Sequence, residues 1–129
     1  MLAVDTNLIV RLLTRDDAAQ ARRAAALFSG EQIFISKTVL LETEWVLRFS
    51  YELPRNTILL ALRNVAGLPN VHVEREDEIA AALDGLEQGL DFADALHLAG
   101  SRCAGRFATF DKKLVNRAEK LTDIELVLA

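Results

Sequence analysis

The sequence lacks most of the features that reveal a protein's chemistry at sight, and each absence excludes something. There is a single cysteine, Cys103, so no internal disulfide can form, and a reducing, cytoplasmic setting is expected. Cys103 falls in an apolar helical pattern, which favours a buried structural thiol over a reactive one. A Gly-rich phosphate loop, a CxxC pair and a Ser/His/Asp set are all missing, along with the chemistry each would bring. The chain opens directly into MLAVD, without the charged and then apolar stretch of a secretory signal. No apolar run approaches the ~20 residues that span a bilayer. Internal repeats and low-complexity stretches are absent too. Positive charge is also short. A net charge of −4 argues against a general nucleic-acid coat. It does not exclude an enzyme acting on nucleic acid, because bound divalent cations bring positive charge of their own.

What is present suits one domain spanning residues 1–129. The chain has 129 residues, 51% of them hydrophobic and 26% charged, enough apolar material for one real core. Short apolar runs alternate with helical patterns. Strands are expected at Leu2–Val4, Ile33–Ile35, Val71–Val73, Phe107–Thr109 and Glu125–Leu128. Helices are expected near Asn7–Leu13 with Thr6 as a cap, Asp17–Phe28, Lys37–Phe49, from Pro54 to near Gly67, Glu76–Glu87, Phe92–Cys103 and Lys112–Ala118. Gly30, Gly89 and Gly105 stand where helices should stop. Strands alternating with helices predict an α/β sandwich around a mostly parallel sheet, whose ligands gather at the carboxyl ends of the strands.

Two acids fall at such ends. Asp5 closes the first strand in VDTN, and Asp111 follows the fourth in ATFDKKL. Each could instead serve as a helix cap or turn residue. Glu42 shares a helix face with Val39, Trp45 and Val46, and a carboxylate on an apolar stripe calls for a compensating metal ion or a remote arginine. The plain alternative is a helix end open to solvent. Glu44 differs, because Arg48 lies four residues on and can pair with it at the surface. In DFADALHLA, Asp91 and Asp94 have capping-box spacing. Asp91 is read as the cap, and Asp94 either complements the helix dipole or enters a site. His97 is read as a packed or half-exposed helical residue and not as a ligand. An all-oxygen donor set suits Mg²⁺ or Mn²⁺, whereas zinc would call for His and Cys. Carboxylates holding a hard cation fit phosphodiester hydrolysis.

VDTN, VLLETEWVLR, DFADALHLA and ATFDKKL, in this order and spacing, resemble the PIN-domain nucleases, and most of all the VapC toxins of prokaryotic toxin–antitoxin pairs. The resemblance runs over essentially the whole chain. It implies a three-layer α/β/α sandwich with a five-stranded parallel sheet in the order 3-2-1-4-5. It also implies Mg²⁺- or Mn²⁺-dependent endoribonuclease activity. Carried over residue by residue, the metal-binding and catalytic acids are Asp5, Glu42, Asp94 and Asp111. Asn7, Thr109 and Asp91 would stand close by as supporting hydrogen-bonding groups. Arg11, Arg15, Lys112, Lys113 and Arg117 are the candidate RNA-binding residues, although any one of them could be an ordinary solvated charge. An antitoxin and a homodimer are the implied protein partners, with Trp45, Phe49 and Tyr51 compatible with a dimer face. No membrane association is expected.

Three other readings compete. A PIN fold could serve only RNA or protein binding. A phospho-receiver module needs adjacent acids after the first strand, where Thr6 and Asn7 stand instead. A haloacid-type phosphatase wants an Asp where Asn7 stands.

Overall fold

The computed structural model describes all residues from Met1 to Ala129. The chain divides into two compact units, Met1–Glu76 and Asp77–Ala129.

The first unit holds β1 (Leu2–Ala3), α1 (Thr6–Thr14), α2 (Ala18–Gly30), β2 (Ile33–Ile35), α3 (Lys37–Phe49), α4 (Arg55–Ala66) and β3 (Val71–Val73). Its strands form a parallel sheet in the order β1-β2-β3, with Leu2 opposite Ile33 and Ile33 opposite Val71. Parallel strands require crossovers, and α1–α2 and α3–α4 provide them. Ile33 and Ile35 are fully buried, as are Leu40 and Leu47 of α3 and Leu62 of α4, so both sheet and helices contribute to the core. Helix starts are capped by side chains. Asp17 accepts from Gln20 N at 3.1 Å, and Ser36 from Val39 N at 3.3 Å. Each such bond pairs an amide that the helix itself leaves open.

The second unit holds α5 (Glu76–Glu87, beginning at the boundary), α6 (Phe92–Gly100), a single 3₁₀ turn (Arg102–Ala104), β4 (Arg106–Thr109), α7 (Lys112–Ala118) and β5 (Glu125–Leu128). β4 and β5 pair in parallel from Arg106 opposite Glu125 to Thr109 opposite Leu128. Phe92, 1% exposed, is buried, as are Ile79, Ala82, Leu86 and Leu98. Gly89 (φ 101°) and Gly105 (φ 77°) end their helical segments in the left-handed region, as their positions suggested.

The parallel α/β class is as expected, with strands ordered β1-β2-β3 in one unit and β4-β5 in the other. The pairings form a three-stranded and a two-stranded sheet in place of one continuous five-stranded sheet. β1 has only two residues to give to a ladder. α6 is shorter than its apolar pattern suggested. It stops at Gly100, so Cys103 lies on the 3₁₀ turn and is exposed, not buried. No helix is long and apolar enough to cross a membrane.

Candidate active site

In the first unit, Asp5 sits between β1 and α1 and caps the helix, its Oδ1 accepting from Leu8 N at 3.0 Å. The cap is therefore Asp5 and not Thr6. Thr6 is 6% exposed and takes another role, since its hydroxyl donates to Glu42 Oε1 across 36 positions of sequence. Asn7 follows at the surface of the first turn.

The two glutamates of α3 are reversed from their expected places. Glu42 is exposed, on a face that includes Trp45 (53% exposed) and Phe49 (55%). Glu44 is buried at 2% exposure, where the fork of Arg48 holds it. The reason lies in helix phase: Glu44 falls between Leu40 and Leu47 on the inner stripe, and the large aromatics lie on the outer one. Burial of Glu44 is made tolerable by the arginine. Within the protein, Glu42 takes a hydrogen bond from a threonine and not from a remote arginine.

In the second unit, Asp91 caps α6 by accepting from Asp94 N at 3.2 Å, the role expected of it. Asp94 is half-buried on the first turn. Its carboxyl is held above the usual aspartate range, chiefly by desolvation and then by the negative charge of Asp91. His97 opposes the shift and Asp111 adds to it. His97 itself is exposed. Asp111 follows β4 and caps α7, its Oδ1 accepting from Lys113 N at 2.9 Å and Leu114 N at 3.1 Å. Thr109 accepts from Asp111 N at 3.0 Å and so fixes the backbone that carries this acid.

Asp5, Glu42 and Asp111 each use one carboxylate oxygen for a protein hydrogen bond. Asp94 carries its charge under strain from like-charged neighbours. In neither unit do three His, Cys, Asp or Glu side chains form a ready-made cage for a cation. The donor chemistry nevertheless fits a hard divalent ion, since every candidate offers carboxylate oxygen and a cation would offset the repulsion at Asp94.

The candidate basic residues divide. Arg11 is committed to a network, with Nε to Gln20 at 2.7 Å and Nη1 to Asp16 at 3.0 Å and Tyr51 at 2.9 Å. Tyr51 donates in turn to Asp16 at 2.6 Å, and this bond is the leading cause of a lowered Asp16 carboxyl. Arg117 donates to Gly89 O at 3.3 Å. Arg15, Lys112 and Lys113 are exposed. A cavity of about 270 Å³ in the second unit is lined by Gly85, Leu90, Ala95, Leu98, Ala118 and Leu121 among others, and none of the candidate acids line it.

Thr6 was missed as a site residue. Its signal was available in its position, because a threonine at the first helical residue has no preceding turn for its hydroxyl to bond. The chain has no match among curated proteins and none among solved structures. The family model of the PIN domain matches residues 2–120 and so runs through both compact units. The chain belongs to the PIN-domain family, a family of nucleases that generally use divalent metals.

Proposed function

We propose that this chain is a Mg²⁺- or Mn²⁺-dependent endoribonuclease and the toxin of a toxin–antitoxin pair of the VapC kind. The observation that carries the reading is Asp94, a half-buried carboxylate whose charge is disfavoured by its burial and by Asp91 and Asp111. Ionised at neutral pH, such a residue costs the fold stability, and acids perturbed in this way cluster at functional sites.

Asp5, Asp94 and Asp111 are the proposed principal ligands, with Glu42 completing the set. A bound divalent ion would lower the pKa of water and stabilise charge on the departing oxygen. The chain's own part is to present carboxylate oxygens that cannot wander. Asp5, Glu42 and Asp111 each have one oxygen tied, which leaves the other to receive the ion or a proton of the attacking water. Water attacks phosphorus in line, the bond to the 3′-oxygen breaks, and that oxygen leaves carrying a proton. The 2′-hydroxyl takes no part, so the product ends are 5′-phosphate and 3′-hydroxyl. Arg15, Lys112 and Lys113 are the proposed contacts to the RNA backbone.

The proposed protein partners are an antitoxin and a second copy of the chain. The exposed pair Trp45 and Phe49, with ring centroids 5.0 Å apart, supports a dimer face on α3. Tyr51 is less suited, since its hydroxyl is spent on Asp16.

The test compares RNA cleavage by wild type and Asp5→Asn with Mg²⁺, with Mn²⁺ and with chelator. Cleavage only with metal, lost in the variant and leaving 5′-phosphate ends, is expected. Metal-independent cleavage or 2′,3′-cyclic phosphate ends would overturn the mechanism. Metal binding without any cleavage would favour a PIN fold kept for binding alone.

A further inference from the structure

We infer that Thr6 is the positioning residue for Glu42, fixing one oxygen of this carboxylate so that the other is held ready for a cation. The inference rests on the nuclease reading above. Thr6 is 6% exposed whereas Glu42 is exposed, so a buried hydroxyl is aimed outward at a surface acid on another helix. An ionised carboxylate can only accept, so the hydroxyl spends its one proton on it.

Two helical threonines deeper in their helices reach the preceding turn: Thr14 approaches Val10 O and Thr43 approaches Val39 O, both at 2.8 Å, although Thr14 also stands 3.0 Å from its near neighbour Asp16 Oδ1. Thr6 is the first residue of α1 and has no preceding turn. Its hydroxyl is therefore available for a distant partner, and Glu42 takes it. A glutamate on an open helix face ordinarily samples many rotamers. The bond from Thr6 removes that freedom at Oε1.

The same helix turn carries the other acid of the unit. Asp5 immediately precedes Thr6, and its Oδ1 is fixed by Leu8 N. One turn of α1 thus fixes Asp5 through its own backbone and reaches Glu42 on α3 through the Thr6 hydroxyl, so Thr6 sets the register of α3's acid against that of α1. Supporting hydrogen bonds of this type govern metal affinity and activity by roughly 10- to 100-fold.

The test uses Thr6→Val, which keeps the side-chain shape and removes the donor, and Thr6→Ser, which keeps the donor. Mn²⁺ titration is followed by quenching of Trp45, the only tryptophan, one helical turn from Glu42. Thr6→Val should bind Mn²⁺ about 10-fold more weakly, and Thr6→Ser as wild type does. Cleavage by Thr6→Val should recover at high Mn²⁺, which a general loss of structure would not allow. In a Glu42→Gln background, Thr6→Val should have no further effect on Mn²⁺ binding. Unchanged Mn²⁺ binding by Thr6→Val, or an equal loss with Glu42→Gln already present, would overturn the role of Thr6 alone. Wild type that neither binds Mn²⁺ nor cleaves RNA would overturn the nuclease reading itself.

Discussion

Glu44 and Arg48 hold each other in a two-pronged ion pair along α3, Nε to Oε2 at 2.9 Å and Nη2 to Oε1 at 3.2 Å, with the carboxylate 2% exposed. Removing the arginine strands a buried charge, whereas removing the glutamate leaves an arginine that already reaches solvent and lies 4.6 Å over the Phe49 ring. Arg48→Met should therefore cost about 2–4 kcal/mol and Glu44→Leu distinctly less. Urea denaturation of the two variants decides it, and equal losses would contradict the asymmetry.

Asp94 should reveal itself in the pH dependence of stability. Its folded pKa is raised, so the stability it contributes is full below the ordinary aspartate range and is lost as pH rises through the folded value. At neutral pH the ionised group strains the fold. In chelator at pH 7, Asp94→Asn should melt higher than wild type, and the gap should close as the solution is acidified. Mg²⁺ or Mn²⁺ should close it at pH 7 by raising the wild type alone. A variant that melts lower than wild type at pH 7 would contradict the assignment.

Asp111 combines a cap with a proposed ligand, and the two roles separate chemically. Asparagine caps helices about as well as aspartate but carries no charge. Asp111→Asn should keep stability within about 1 kcal/mol while cleavage falls roughly 100-fold or more. Asp111→Ala should lose both. Scanning calorimetry alongside an RNA cleavage assay distinguishes the outcomes, and cleavage surviving in Asp111→Asn would remove this acid from the site.

Gly85 of α5 lies close against Ala95 of α6. A Cβ there would stand 2.8 Å from that of Ala95 and 3.3 Å from Leu90 Cδ1. Overpacking costs about 1–3 kcal/mol, and the better helix propensity of alanine returns at most about 1. Gly85→Ala should therefore destabilise, and adding Ala95→Gly should restore much of the loss. Chemical denaturation of the single and double variants checks both steps.

The sequence carried the element order well, because apolar runs, capping residues and the glycines at 89 and 105 punctuate it clearly. Asp91 as a cap was legible from spacing alone. The misreadings came from side chains whose partners are set by tertiary packing. Val39, Trp45 and Val46 make the face of Glu42 an apolar stripe, yet the stripe through Leu40 and Leu47 turns inward and takes Glu44 instead. Arg48, four residues on, makes Glu44 look like a surface residue, whereas that arginine is what allows its burial. Cys103 followed an apolar pattern past the point where the backbone leaves α6 at Gly100. The place of Thr6 at the head of α1 signals a hydroxyl open to a distant acceptor, but which acceptor lies 36 positions away is set by packing alone.

The network around Arg11 bears on how the chain opens locally. Arg15 ends α1 in the left-handed region at φ 56°, exposed and followed by two more exposed residues, which makes it an obvious place for trypsin to start. A protease needs several residues in extended form, however, and this turn is stitched on both sides. Arg11 binds Gln20 beyond it and Tyr51 after α3, while Asp16 within it binds Arg11 and Tyr51. The turn cannot peel away without breaking a link to the segment after α3. Its opening is therefore tied to a larger cooperative unfolding event, and Arg15 is shielded by that linkage despite lying in plain view of solvent.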